Sequence, residues 1–137
     1  MSDKVFMDTN ILIYMQSGLD PVKTRICRKL FEQASSDNLI VLSTQILQEF
    51  YVAMTRKLGH DSITIKNILS LFNDFEIVKI DSAIIFDAID ISVLHQLSFW
   101  DSLVISAANA GNCKVLYSED LNHGQVIRGV EVVNPFK

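Results

Sequence analysis

Along the 137 residues, short apolar runs rich in β-branched side chains alternate with longer stretches whose apolar residues recur at helical spacing. The runs are "KVFM" (4–7), "LIVLS" (39–43), "EIVKI" (76–80), "KVLYS" (114–118) and "VEVV" (130–133). Runs that are apolar at consecutive positions mark strands buried on both faces, and their alternation with helical segments predicts an α/β domain. The expected architecture is a central, mainly parallel five-stranded sheet flanked by helices on both faces.

Start and stop signals place the helices. Asp20 followed by Pro21 opens a helix through "VKTRICRKLFEQA", because an Asp cap and a proline at the first helical position are both favoured there. A second helix is expected over Thr44–Leu58, with Gly59 as its stop. Others are expected over Ser62–Asn73, over Ser82–His95 behind the cap Asp81, and from the cap Ser98 to the terminator Gly111.

With 49% hydrophobic residues, 20% charged and two prolines, the composition is that of a folded globular chain, and the length suits a single domain spanning 1–137. The net charge of −4 argues against a surface that coats nucleic acid through clustered Lys and Arg, but not against a nuclease whose acids are neutralised by metal ions. Cys27 and Cys113 have no second Cys or His at metal-ligand spacing, so neither a disulfide framework nor a zinc site is expected. No apolar segment reaches the ~18 residues needed to cross a bilayer, and no apolar run follows a basic start. A cytoplasmic protein without a membrane partner is expected.

Four acids carry the candidate chemistry. Asp8 follows the first run in "VFMDTN", where a turn or a helix cap would by itself explain it. Glu49 in "STQILQEFYVAM" shares a helical face with Ile46 and Ala53, so it leans toward the core, although a Glu can also snorkel from such a rim. Asp101 in "SFWDSLVISAA" stands three residues after Ser98, as in a capping box, yet Val104, Ile105 and Ala108 put it on an inward face. Asp120 in "VLYSEDLNHG" follows a late strand within an ordinary turn composition.

Each acid has a bland explanation; the combination does not. In open parallel sheets, ligands bind beyond the carboxyl ends of the strands, and these acids fall at strand ends or early in the helices that follow. Two carboxylates ~4 Å apart repel by about 4 kcal/mol at an effective dielectric of ~20, so a cluster calls for a cation. Oxygen-only ligands favour Mg²⁺ or Mn²⁺ over zinc. Such ions lower the pKa of a bound water and stabilise a leaving oxygen, which suits phosphodiester hydrolysis.

The segments "MDTNILIY", "QEFY", "SFWDSLVISAA", "LYSEDLNHGQ" and "VEVVNPF" together resemble the PIN domain family, and within it the VapC-type ribonuclease toxins of toxin–antitoxin pairs. The resemblance spans nearly the whole chain. It implies a PIN fold and a Mg²⁺- or Mn²⁺-dependent endoribonuclease, with Asp8, Glu49, Asp101 and Asp120 as catalytic and metal-binding acids. Thr9, Asn10 and Ser118 are implied as supporting polar residues, and Glu119 as a fifth acid. It further implies a structured RNA substrate such as tRNA or rRNA, a cognate antitoxin and a homodimer.

Other features weigh less. Lys23, Arg25, Arg28 and Lys29 can meet RNA phosphates or an acidic partner, but a solvated helix face accounts for them as well. Arg56 and Lys57 suit a helix C-terminus, His123 is a loop histidine, and Phe99 and Trp100 suit packing or a dimer contact. A receiver-type phosphorylation domain needs paired acids at the first strand and an acceptor Asp on a middle one, which are absent. An aspartyl-nucleophile phosphatase needs Asp-x-Asp, where this chain has Asp8, Thr9 and Asn10. The remaining alternative is a catalytically inactive PIN-like module that binds RNA or a partner.

Overall fold

A computed structural model describes residues 3–137; the first two residues of the expected domain lie outside it. The chain begins with β1 (Val5–Met7) and turns at once into α1 (Thr9–Ser17), followed by α2 (Pro21–Ser36), β2 (Ile40–Ser43), α3 (Thr44–Val52) and α4 (Ser62–Phe72). Then come β3 (Glu76–Val78), α5 (Ser82–His95), α6 (Phe99–Ala110), β4 (Val115–Tyr117), β5 (Val126–Ile127) and β6 (Val130–Val133). The sheet order is β3-β2-β1-β4-β6-β5, with every pair parallel except β5 with β6.

All residues of β1 and β2 are buried. Because successive strand side chains point to opposite faces, both faces of these strands are covered, as their uninterrupted apolar runs predict. Phe6, Ile11, Leu12, Leu42, Ile46, Phe50 and Leu116 form the centre of the core, and full burial of each such side chain stabilises by about 1.5–3 kcal/mol. Helix α6 ends where Gly111 meets the sheet: a Cβ there would lie 3.0 Å from Val41 and 3.1 Å from Val78, so a larger residue would push the helix end off β2 and β3. Among the described residues no single helix is long and apolar enough to cross a membrane.

The expected five strands become six. Strand β5 pairs with β6 through a two-residue turn in which Arg128 and Gly129 have φ of +53° and +77°. Hairpin turns of this kind favour Asn-Gly or Asp-Gly, and here Arg128 stands in place of that signal while its guanidinium pairs with Asp87 Oδ1 at 3.2 Å.

A further helix, beyond the expected ones, occupies Thr9–Ser17. Asp8 accepts from Thr9 N at 2.8 Å to start it, and Gly18 at φ +66° ends it. Strand β3 stops at Val78, short of the expected Ile80, because Ile80 N donates to Thr44 Oγ1 at 3.2 Å instead of joining the ladder.

The expected helix over 44–58 is α-helical only to Val52; Ala53–Lys57 form a π-helical turn. In a continuous α-helix Lys57 would sit about 80° round from Glu49, at ~100° per residue. The wider turn winds less per residue and brings Lys57 back toward the Glu49 side, and both line the same cleft.

Candidate active site

From β1 the chain builds β2 and then β3 on one side, and crosses to the other side to form β4. The order therefore reverses between β1 and β4, the position at which ligands bind beyond the strand ends of open sheets. Asp8 and Asp120 follow these two strands. A cleft of about 470 Å³ opens there, and Asp8, Glu49, Asp101 and Asp120 all line it.

Asp8 extends the ladder by donating its N–H to Tyr117 O at 3.0 Å, which fixes its carboxylate at the strand end. The side chain is buried; Oδ1 accepts from Thr9 N at 2.8 Å and Oδ2 from Ser118 Oγ at 2.7 Å. Burial pushes its pKa up from 3.8 to about 6, with the charges of Glu49 and Asp120 adding to the rise and the two hydrogen bonds opposing it. A carboxyl held this way gains strongly from a nearby cation.

Glu49 lies in the second turn of α3, which Ser43 caps by accepting from Ile46 N. Its Oε1 accepts from Thr9 Oγ1 at 2.7 Å and its Oε2 from Gln45 Nε2 at 3.3 Å. Gln45 Nε2 also donates to Trp100 O at 3.2 Å, which ties α3 to the start of α6. Asp101 stands in the first turn of α6 behind the cap Ser98, whose Oγ accepts from Asp101 N at 3.1 Å. Among the described residues none donates to the Asp101 carboxylate, which faces the cleft.

Asp120 is the exposed acid. Its Oδ2 accepts from Asn10 Nδ2 at 3.1 Å, and its N–H donates to Ser118 Oγ at 3.3 Å. Thus Thr9 donates to Asp8 and Glu49, Ser118 donates to Asp8, and Asn10 donates to Asp120 rather than to Asp8. Glu119 is not among the residues lining the cleft. It turns to Tyr14, whose hydroxyl donates to Oε2 at 2.6 Å, and to the Lys23 ammonium. Burial pushes the Glu119 carboxyl up, but these two donors outweigh it and hold it below the ordinary value.

Among the described residues, no group of three or more His, Cys, Asp and Glu side chains closes around a point that an ion could occupy. Three of the four acids are instead engaged by neutral donors. Two buried amide oxygens in the same cleft, Asn10 Oδ1 and Gln45 Oε1, accept from no donor among the described residues. Orphaned buried acceptors are costly, and what they lack is a donor, such as water carried by a hydrated cation.

Gln45, Gln48, Lys57 and the exposed Trp100 also line the cleft, and the sequence reading did not single out either glutamine. The Trp100 ring meets Phe99 edge to face at 5.0 Å, and Phe99 packs against the small cluster of Ile84, Ala88 and Leu103. Of the basic group on α2, Lys23 is drawn to Glu119, while Arg28, whose Nε donates to Met15 O at 3.1 Å, stays with the other two. Arg25, Arg28 and Lys29 line a separate depression with Glu32. His123 Nδ1 accepts from Asn134 N at 2.9 Å, a structural use of the ring. Cys27 and Cys113 are buried and unpaired, as expected.

Residues 5–128 match the family described as PIN domain, so the chain belongs to the PIN domain family. Among solved structures it is similar to the toxin–antitoxin complex from Klebsiella pneumoniae, at 21% identity over 96% of this chain and 98% of that one, with a TM-score of 0.71. It is also similar to VapC20 of Mycobacterium tuberculosis, a sarcin–ricin-loop-cleaving toxin, at 18% identity over 85% and 90% of the two chains, with a TM-score of 0.70. VapBC2 from Rickettsia felis, bound to a DNA fragment from its promoter, matches at 19% identity over 93% and 96%, with a TM-score of 0.66. At these identities the likeness is one of fold. A comparison with curated proteins found no match.

Proposed function

We propose that the protein is a divalent-metal-dependent endoribonuclease and the toxin of a toxin–antitoxin pair. The observation that carries this reading is that four acids, delivered by β1, α3, α6 and the loop after β4, line one cleft at the reversal point of the sheet. The donor set contains only oxygen, which suits Mg²⁺ or Mn²⁺, and the two orphaned amide oxygens suit the water shell of such an ion. Asp8, Glu49, Asp101 and Asp120 would hold it. When bound, it supplies activation of a water and charge neutralisation at the scissile phosphate.

The chain's own residues prepare that site. Ser118 and the Thr9 N–H aim the two oxygens of Asp8, while Thr9 Oγ1 and Gln45 aim those of Glu49. Lys57 gives a cleft lined with acids a cation for the polyanionic backbone. Because the net charge is −4, backbone binding would rely on the metal and such local cations rather than on the whole surface.

Structured RNA, such as tRNA or rRNA, is the proposed substrate, in keeping with the VapC20 similarity. A cognate antitoxin is the proposed partner, in keeping with the fold likeness to the Klebsiella toxin–antitoxin complex. We place the protein in the cytoplasm, where both would be met. A homodimer is proposed through α5, on which Phe86, Ile89 and Val93 repeat at helical spacing and are exposed.

The test is cleavage of total cellular RNA by the purified, antitoxin-free chain with Mg²⁺ or Mn²⁺. Cleavage that chelation stops and Asp8→Asn abolishes supports the reading. Folded protein that neither binds metal nor cuts RNA would leave the non-catalytic binding module in its place.

A further inference from the structure

Glu119 stands between two residues that serve the cleft, and its side chain does not line the cleft itself. On one side, Ser118 Oγ donates to Asp8; on the other, Asp120 accepts from Asn10. The three side chains alternate along the segment, with 118 and 120 facing the acids and 119 facing away. The chain bends at Glu119 and Asp120, and the Asp120 N–H donates to Ser118 Oγ at 3.3 Å, so the direction of the Glu119 side chain is coupled to that of its two neighbours.

The far side of the segment is gripped from three parts of the chain. Tyr14 on α1 and Lys23 on α2 both donate to the Glu119 carboxylate, and Lys23 Nζ donates to the Tyr14 hydroxyl at 3.3 Å. The same ammonium lies 4.9 Å from the ring centroids of both Tyr14 and Phe136, which meet edge to face at 5.5 Å. Asn134 Nδ2 donates to the Glu119 carbonyl at 3.4 Å. Lys23 and Glu119 are about three-quarters withdrawn from solvent, with side-chain exposures of 29% and 26%. A pair in that position is screened less than one on the open surface, and the aromatic rings add cation–π attraction.

Asp120 itself is weakly held: it is exposed and has one side-chain donor, Asn10. We infer that Glu119 is a positioning residue: its grip on Lys23 and Tyr14 turns the segment so that the Asp120 carboxylate is presented to the cleft. It does not act as a fifth ligand. The inference rests on the metal-dependent reading proposed above, and it adds Lys23, Tyr14 and Phe136 as the outer support of one acid.

The test measures Mn²⁺ binding by calorimetry, together with melting temperature, for the wild type, Glu119→Gln, Lys23→Met, Lys23→Arg, Tyr14→Phe and the Lys23→Met/Glu119→Gln double variant. Loss of an outer support typically costs 10–100-fold in metal affinity. Glu119→Gln and Lys23→Met should each weaken binding by about that factor, and the double variant should be no worse than either, because the two act as one unit. Lys23→Arg should recover most of the affinity, and Tyr14→Phe should lose a few-fold, since one of two donors remains.

The Lys23→Met arm separates the alternatives. Simple electrostatics predicts tighter Mn²⁺ binding once a nearby positive charge is gone, and a ligand role for Glu119 predicts no loss. Unchanged or tighter binding in Lys23→Met, with the fold intact, overturns the inference. Melting temperatures that fall while Mn²⁺ affinity at low temperature stays at the wild-type value also overturn it, in favour of a purely structural pair. Wild-type protein that binds no Mn²⁺ overturns the metal-dependent reading and this inference with it; equal binding by wild type and variants overturns this inference alone.

Discussion

The Thr9 hydroxyl donates to Glu49 Oε1 at 2.7 Å, joining residues forty positions apart in the chain. Thr9 is the first residue of α1 and its N–H holds Asp8, so one residue orients two acids that come from different elements. Removing the hydroxyl leaves the Asp8 contact in place and leaves Glu49 held only by the longer 3.3 Å bond from Gln45. Thr9→Val should therefore reduce RNA cleavage by about 10–100-fold through loss of carboxylate orientation, at a stability cost of about 1–3 kcal/mol for the unpaired acceptor. Thr9→Ser should restore most of the rate. Comparing kcat and melting temperature of the two variants checks this, and equal rates in both would contradict it.

Burial raises the Asp8 pKa from 3.8 to about 6. Between those values the folded, metal-free protein keeps a proton that the unfolded chain releases, so this group's contribution is fully present below pH 3.8 and is lost as pH rises through about 6. The loss amounts to about 3 kcal/mol. Asp8→Asn should thus melt several degrees above wild type at pH 7.5 in chelator, and the gap should narrow toward pH 4. A variant that melts at or below the wild type at pH 7.5 would speak against a desolvated, crowded acid.

Adding Mg²⁺ or Mn²⁺ at neutral pH should raise the melting temperature of the wild type, because an ion that binds only the folded state stabilises by about 2.7 kcal/mol at one hundred times its Kd. Chelation should reverse the rise. Asp101→Asn should show little of it, since Asp101 accepts no side-chain hydrogen bond that would have to be broken first. A scanning-fluorimetry titration of both proteins reads this directly.

The four acids were legible because each sits beside a local signal: Asp8 and Asp120 behind apolar runs, Glu49 on an inward helical face, Asp101 behind the cap Ser98. The caps Asp20, Asp81 and Ser98 were legible for the same reason, and the structure confirms each of them. What escaped was set by distant partners. Gln45 gains its role from Glu49 and from Trp100, fifty-five residues away. The π-turn at Ala53–Lys57 has no sequence mark of its own. Strand β5 is two residues long and turns on Arg128, whose positive φ the usual Asn or Asp would have announced. Helix α1 was hidden because "ILIY" has the composition of a strand, although its buried Ile11, Leu12 and Met15 follow helical spacing.

In the proposed homodimer, helix α5 would supply the contact face, with Phe86 at 66% and Val93 at 73% exposure. Val93→Glu should convert a dimer of the 15.5 kDa chain into a monomer without changing its circular dichroism, because a charge at the centre of an apolar contact is left desolvated and unpaired. Light scattering coupled to gel filtration measures the mass. A wild-type monomer, or a variant dimer, would argue against this face.

The proposed activity is RNA cleavage in the cleft at the β1–β4 reversal, with a divalent ion held by its four acids. Its most direct test is end-mapping of RNA incubated with the purified chain in Mg²⁺ or Mn²⁺, alongside Asp101→Asn of matched fold and melting temperature in chelator. The wild type should yield discrete new ends, with none after chelation and none with Asp101→Asn. Wild-type protein that binds the ion but yields no new ends, or Asp101→Asn that cuts as well as wild type, would contradict it.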